Sequence, residues 1–269
     1  MKLLFLGDVL GSSGRKVIGE HLAGIRDRLD IDFVVANGEN AAGGFGLTRK
    51  TAIELFDAGV DVLTGGNHTW DQREIIEFIR EDKRVLRPVN YPEGTPGSGI
   101  GIYETAKGDR VGVVNALGRV FMDPLDDPFH AVNMALNKFR LGQDCKAVFV
   151  DIHAEATSEK MAMGHFSDGR ASLVVGSHSH VPTADAQILP GGTAYQTDAG
   201  MCGDYNSVIG MDIEEPIRRF TTKIKGRFAP AKGPGTMCGV LAETDDTTGL
   251  AIKVEPVRVS GRLIQTGHG

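Results

Sequence analysis

Apolar and polar residues alternate in blocks along the first third of the chain. Short apolar runs, which are typical of buried strands, are KLLFLG, DFVVAN and VDVLTG. Segments with apolar residues at helical spacing follow these runs at 12–29, 48–58 and 71–80. This βαβαβα order predicts a largely parallel sheet with helices on its faces.

From about residue 98 the pattern changes to strands that are close in sequence. GIGIYET and RVGVVNA flank the turn-forming AKGDR, which predicts an antiparallel pair. Further elements are predicted as a helix at 128–141, the strand KAVFVDI, a helix at 156–163 and the strand SLVVGS.

The last part of the chain predicts four more short strands, namely TAYQTD, RFAPA, MCGVLAET and LAIKVEPVRV. Repeats, low-complexity segments and evident linkers are absent from the sequence. We therefore expect one α/β domain over residues 1–269, with two packed sheets flanked by helices.

Composition restricts the class of protein. With 269 residues and 41% hydrophobic residues the chain is large enough to bury a substantial core. Lys and Arg total 29 against 35 Asp and Glu, a net charge of -6, so duplex nucleic acid and anionic membranes are not expected partners. An anionic small substrate would need local arginines or bound metal ions.

Cysteine usage and the N-terminus indicate the compartment. Cys145, Cys202 and Cys238 are odd in number and lack C-x-x-C spacing, which predicts free thiols in a reducing cytosol. The opening MKLLFLGD is too short for a signal peptide, and we expect a cytoplasmic protein without a membrane span. The sequence leaves the oligomeric state open, a homo-oligomer included.

Polar residues cluster where the predicted strands end. Five strand ends carry Asp, Glu, Asn or His side chains, which are Asp8, Glu39, Asn40, Asn67, His68, His153, His178 and His180. In open α/β sheets ligands bind beyond these carboxyl ends, and such side chains bind hard and borderline metal ions. Taken singly, Asp8 could be a helix cap, Asn67 a turn residue and His153 a core histidine.

The segment GSHSH is more specific. In an extended segment His178 and His180 would point to the same side, as two metal ligands should. With the other strand ends there are more candidate ligands than one tetrahedral ion needs, which predicts two ions roughly 3.5 to 4 Å apart, bridged by a carboxylate.

These motifs resemble those of the calcineurin-like metallophosphoesterases. The order is GD at 7–8, NGEN at 37–40, GGNHTWD at 65–71, DIHAE at 151–155 and GSHSH at 176–180. Two departures, Leu10 where that superfamily has a histidine and Glu39 where it has a bridging Asp, resemble the bacterial 2′,3′-cyclic-nucleotide 2′-phosphodiesterase branch.

The resemblance implies a four-layer α/β/β/α sandwich of two mixed sheets flanked by helices, and a dinuclear metal centre. Iron is the first expectation, with manganese second and zinc compatible with the ligands. The implied first site consists of Asp8, Glu39, Asn40 and His180, and Glu39 bridges to a second site of Asn67, His153 and His178. Asn40 would take the place of the histidine ligand that is missing because position 10 is Leu10.

The resemblance also implies hydrolysis of a small phosphodiester or nucleotide, such as 2′,3′-cyclic AMP. Two ions would neutralise charge on the phosphate and generate the hydroxide that attacks it, with His68 as proton donor to the leaving alkoxide. Arg119, Arg170 and Thr197 are candidates at the border of the cleft, although surface exposure or a structural ion pair is the better explanation for any one of them.

Two other classes are considered. A dinucleotide site at GDVLGSSGR lacks the G-x-G-x-x-G spacing and leaves the three histidines unexplained. A regulatory protein that binds a nucleotide or a partner, with slow or incidental catalysis, would show the same motifs and stays open from the sequence.

Overall fold

The computed structural model describes residues 1–266, so the last three positions of the predicted 1–269 domain lie outside the described residues. The helices are α1 (Gly11–Leu29), α2 (Arg49–Asp57), α3 (Ile75–Glu81), α4 (Pro128–Leu136), α5 (Thr157–Ser167) and α6 (Glu214–Thr222). The strands are β1 (Lys2–Leu6), β2 (Asp8–Val9), β3 (Phe33–Asn37), β4 (Val62–Thr64), β5 (Ile100–Glu104), β6 (Arg110–Leu117), β7 (Ala147–His153), β8 (Leu173–Ser177), β9 (Gln187–Ile188), β10 (Ala194–Gln196), β11 (Met201–Cys202), β12 (Met237–Thr244) and β13 (Ala251–Val259).

One sheet has five strands in the order β13-β12-β1-β3-β4. Strands β1, β3 and β4 are parallel, with Leu4 opposite Val34 and Ala36 opposite Leu63. Strand β12 runs antiparallel to β1, and β13 antiparallel to β12. The predicted βαβαβα unit therefore forms the parallel half of a mixed sheet.

The second sheet has six strands in the order β5-β6-β7-β8-β10-β9. Its centre, β6-β7-β8-β10, is parallel, and the predicted antiparallel pair β5-β6 forms one edge. The short strands β2 and β11 form a separate parallel pair that joins Asp8 to Met201.

Packing of apolar side chains arranges the elements in four layers. Phe5 and Phe33 of the first sheet are buried in one cluster with Phe149 of the second, which is the interface between the sheets. Apolar residues of α1, α2 and α3 pack on the outer face of the first sheet, and those of α4 and α5 on the outer face of the second. The predicted α/β/β/α sandwich is confirmed.

Several predicted boundaries are corrected. Helix α3 begins at Ile75 rather than 71, and α4 ends at Leu136, with Asn137 as its C-cap residue, well before 141. The predicted strand RFAPA is only an isolated bridge between Pro230 and Met211. Helix α6 is not among the predicted elements, although its sequence is strongly amphipathic, and its apolar residues Ile217 and Phe220 are exposed rather than packed in the core.

The three thiols of Cys145, Cys202 and Cys238 are buried and free, as the spacing predicts. Within residues 1–266 every helix is too short or too polar to span a bilayer.

Candidate metal centre

The carboxyl ends of parallel strands from both sheets meet at one edge of the sandwich, and the predicted residues gather there. Asp8 follows β1, Glu39 and Asn40 follow β3, Asn67 follows β4, His153 ends β7, and His178 and His180 follow β8. Asp8, Glu39, Asn40 and His153 are buried, with exposed fractions of 0 to 2%. All seven predicted ligands lie in one connected cluster.

One half of the cluster surrounds the Nε2 atom of His153. Asn67 Oδ1 lies 3.0 Å away, Glu39 Oε1 3.1 Å away, and His178 Nδ1 3.1 Å away. Each of the surrounding oxygens is an acceptor. Three atoms that can carry lone pairs therefore surround the same ring nitrogen at 3.0 to 3.1 Å.

The other half contains Asp8, Asn40 and His180. His180 Nε2 lies 3.2 Å from Asn40 Nδ2 and 3.8 Å from Asp8 Oδ1. Asn40 Nδ2 is also 3.2 Å from Glu39 Oε1, which links the two halves. A 180° turn of the Asn40 amide exchanges Nδ2 for Oδ1, so this position also offers an oxygen donor.

Asp8 Oδ1 is an orphaned buried oxygen. It lies between His153 Nδ1 and His180 Nε2 at 3.8 Å from each, and it has no hydrogen-bond partner among the described residues. A buried carboxylate oxygen without a partner is strongly unfavourable. An ion at this position would remove that penalty, so the residues fit a metal.

Each of the three histidines has one ring nitrogen tied to an acceptor outside the cluster. His180 Nδ1 donates to the carbonyl oxygen of Ile209 at 2.7 Å, and His178 Nε2 lies 3.1 Å from Glu155 Oε2. His153 Nδ1 lies 2.9 Å from Ser177 Oγ. In the neutral rings these contacts leave the other nitrogen unprotonated toward the cluster, as in histidines that ligate metals.

The support of His153 was not predicted from the sequence. Ser177 Oγ donates to Asp151 Oδ1 at 2.7 Å, and Thr64 Oγ1 donates to Asp151 Oδ2 at 2.6 Å. Burial raises the pKa of Asp151 to about 6, although His153 opposes the shift. The sequence did contain a signal for this contact. Asp151 and His153 are two residues apart on β7, so their side chains lie on the same side of the strand.

The charges in the cluster favour a cation. Burial alone would disfavour an imidazolium, but Glu39 and Asp8 outweigh it and raise the pKa of His153 to about 9. Burial would also raise the pKa of Glu39, yet His153 and the backbone N–H of His68 lower it to about 2. Burial and His153 lower the pKa of His178 to about 3, which keeps it a neutral donor.

The GSHSH segment is not extended, contrary to the prediction. His178 and His180 both have positive φ angles, 99° and 64°. His178 consequently meets His153 in one half of the cluster, while His180 meets Asp8 and Asn40 in the other. The backbone N–H of His178 donates to Asp8 Oδ2 at 3.0 Å, and that of Ser179 donates to Asp198 Oδ2 at 3.0 Å.

Gly66 leaves the space that the cluster needs. A Cβ atom at this position would collide with Glu39 Oε2 and with the imidazole of His153. The close approach of the backbone between β4 and α3 therefore requires glycine.

His68 lies at the mouth of the cluster, with 29% of its side chain exposed. Its backbone N–H donates to Glu39 Oε2 at 3.0 Å, and its Nδ1 lies 2.8 Å from Asp71 Oδ2. The ring packs edge-on against Phe45 with centroids 5.1 Å apart. These contacts fix the ring and leave Nε2 for the cleft.

The cleft over the cluster has a volume of about 540 Å³. Glu39, Asn40, His68, His178 and His180 contribute to its lining.

The three residues considered for the cleft border do not line this cleft and make other contacts. Arg119 pairs with Asp127 at 3.5 Å, and Arg170 donates to Asn133 Oδ1 at 3.0 Å. Thr197 is buried against Tyr195.

Residues 4–257 match the family described as YmdB-like protein. A 2′,3′-cyclic-nucleotide 2′-phosphodiesterase of Bacillus subtilis is 47% identical over 260 residues, 97% of each chain. A crystal structure of a hypothetical protein from Thermus thermophilus has a TM-score of 0.90 at 45% identity, covering 97% of this chain and 100% of that one. A novel phosphatase from Mycoplasma pneumoniae has a TM-score of 0.89 at 37% identity, with coverages of 97% and 93%. With matches along nearly its whole length, this chain belongs to the YmdB-like family, and the resemblance noted in its motifs is confirmed.

Proposed function

We propose that this protein is a dinuclear-metal phosphodiesterase that hydrolyses 2′,3′-cyclic nucleotides. One ion would be held by Asp8, Glu39, Asn40 and His180. The other would be held by Glu39, Asn67, His153 and His178.

One observation carries this proposal: the cluster is built from lone-pair donors that face inward. His153 Nε2 and His178 Nδ1 lie 3.1 Å apart, each with its other ring nitrogen beside an acceptor outside the cluster. One proton can satisfy one of the contacts around His153 Nε2, whereas a cation satisfies all of them. The unpartnered Asp8 Oδ1 supports the same conclusion for the other half.

Glu39 is suited to the bridging position because it contacts both halves. Its Oε1 atom is 3.1 Å from His153 Nε2 and 3.2 Å from Asn40 Nδ2. Histidine, carboxylate and amide donors without thiolate suit iron, manganese or zinc, and we expect iron first and manganese second. When bound, two such ions supply Lewis acidity toward the phosphate and lower the pKa of water.

His68 is the proposed proton donor. Asp71 holds Nδ1 at 2.8 Å, and the backbone of the same histidine donates to the proposed bridging carboxylate at 3.0 Å. The ring is thereby held against the cluster, with Nε2 toward the cleft. Asp71 orients the ring, while Phe45 restricts its rotation.

The bond changes follow from the substrate. A water oxygen forms a bond to phosphorus, and the bond between phosphorus and the ribose 2′ oxygen breaks, which opens the cyclic ester to a 3′-phosphomonoester. The departing alkoxide is a poor leaving group, so it needs the proton that His68 Nε2 would donate. The proton lost by the water goes to solvent or to the product.

Purified protein with measured metal content tests the proposal on 2′,3′-cyclic AMP, a linear dinucleotide, a 3′-phosphomonoester and a nitrophenyl diester. We expect turnover of the cyclic nucleotide that rises with metal content, disappears with a chelator and returns on adding iron(II) or manganese(II). Tight binding of the cyclic nucleotide with negligible turnover by fully metallated protein would instead favour a regulatory binding protein. Preference for the monoester would contradict the diesterase assignment.

A further inference from the structure

The cleft beside the metal cluster has an apolar wall that the proposed chemistry does not use. One face of α6 contributes Pro216, Arg219 and Phe220, at helical spacing. The facing side chains that complete this wall are apolar, namely Phe45, Val208, Ile209, Met211 and Phe228.

The wall begins where the polar cluster ends. The ring of Phe45 lies 5.1 Å from that of His68, and Ile209 receives the hydrogen bond from His180 Nδ1 at 2.7 Å. A ligand whose phosphate meets the cluster would therefore have its remaining part against these apolar side chains.

Apolar side chains of this wall are exposed to solvent. Phe220 is 75% exposed and Ile209 is 55% exposed. Ile209 also has a φ of 47°, a conformation that β-branched residues rarely adopt, and such strain concentrates at ligand sites.

Arg219 adds a planar cation to the wall. Its guanidinium lies 3.8 Å over the ring of Phe228, and one of its Nη2 hydrogens is donated to the Gly226 carbonyl at 2.9 Å. Its Nε is buried, makes no hydrogen bond among the described residues and lies 3.9 Å from Glu215 Oε1. The group thus places a planar cation, 32% exposed, in the wall.

We infer that five residues of this wall, Phe45, Ile209, Arg219, Phe220 and Phe228, form a subsite for the nucleobase of the substrate. The inference rests on the proposed function and deepens it. A flat aromatic base gains from stacking on phenyl and guanidinium faces, whereas a bare phosphate ester gains nothing there. The cleft volume of about 540 Å³ is within the range of small-ligand pockets.

The test compares 2′,3′-cyclic AMP with methyl riboside 2′,3′-cyclic phosphate, which has the same reacting ester without the base. For the unaltered protein we expect kcat/KM to be at least roughly tenfold higher for the nucleotide, in line with base stacking. In Phe220→Ala we expect KM for the nucleotide to rise roughly five- to tenfold while its kcat is kept. The kcat and KM for the riboside cyclic phosphate should be unchanged in this variant.

Ile217→Ala is the matched control, because Ile217 is on the same helix, is 52% exposed and does not line the cleft. This variant should hydrolyse both substrates with the kcat and KM of the unaltered protein. Equal kcat/KM for the two substrates in the unaltered protein would overturn the subsite and leave the phosphodiesterase standing. Hydrolysis of neither substrate by metallated protein would overturn the proposed function itself.

The alternative occupant of this wall is a second copy of the chain. Analytical ultracentrifugation of the same variants tests it by measuring their oligomeric state. We expect Phe220→Ala to keep the oligomeric state of the unaltered protein. A lower oligomeric state, together with equal losses on both substrates, would overturn the subsite and assign Phe220 to a subunit contact.

Discussion

The Nζ atom of Lys160 lies 2.7 Å from Asp198 Oδ2, and both side chains are 1% exposed. Asp198 also accepts the backbone N–H groups of Ser179 at 3.0 Å and Gly200 at 2.8 Å. This buried pair therefore supports the loop that carries His178 and His180 in left-handed conformations. Neither partner was singled out from the sequence.

We expect Lys160→Met to lower the free energy of unfolding by about 3–5 kcal/mol, because it leaves Asp198 charged and buried without its partner. Turnover should fall as well, since the loop that positions two proposed ligands loses its anchor. Denaturant unfolding and kcat on a cyclic nucleotide measure the two effects. Lys146→Met is the matched control, because Lys146 pairs with Asp109 where both side chains are 29% exposed, and it should change stability far less. Equal effects of the two variants would contradict the role of the Lys160 pair.

Glu39→Gln should lose most of the bound metal at both sites. The proposed bridge contributes to both ions, and an amide is a poorer ligand and carries no charge. Elemental analysis after purification measures the metal per chain. Glu155→Gln removes a carboxylate from the same cleft while keeping an oxygen for His178, and it should retain the metal of the unaltered protein. Full metal occupancy in Glu39→Gln would show that Glu39 does not bridge.

Asn40→Ala should selectively weaken binding of the ion that Asp8, Glu39, Asn40 and His180 are proposed to hold. Asn40 contacts His180 and Glu39 but none of the groups around His153 that belong only to the second proposed site. Metal titration should thus show one site weakened and one nearly unchanged. Asn67→Ala is the reciprocal variant, because Asn67 Oδ1 contacts His153 at 3.0 Å, and it should weaken the other site. The same loss at both sites in both variants would contradict the division of ligands.

His68→Ala should keep the metals and lose turnover. We expect kcat on an alkyl phosphodiester to fall by roughly 10² to 10⁴, the usual contribution of a positioned acid. A nitrophenyl diester should lose much less, because its leaving group needs little protonation. Asp71→Asn keeps a group beside Nδ1 and should give an intermediate loss with the same dependence on leaving group. Small and equal losses on both esters would remove His68 from the acid role.

Much of the fold could be predicted because apolar periodicity reports directly on burial. The runs at β1, β3, β7 and β8 are nearly fully buried, and each was recognised as a strand. Helix α6 was missed although its sequence is amphipathic at helical spacing, and its apolar residues lie at the cleft and in solvent rather than in the core. The predicted strand RFAPA forms only the isolated bridge from Pro230 to Met211, because the segment around Met211 is not itself a strand.

The sequence by itself determined which side chains stand at the strand ends. Parallel strands bring their carboxyl ends to one edge, so the order of residues along the chain was enough to collect Asp8, Glu39, Asn67 and His153. Only the tertiary structure decided how those groups are oriented. The Ser177, Glu155 and Ile209 contacts that turn each histidine inward come from residues whose types are common on any strand or loop. The apolar wall of α6 likewise depends on packing between segments far apart in the chain, and local sequence patterns carry no record of such contacts.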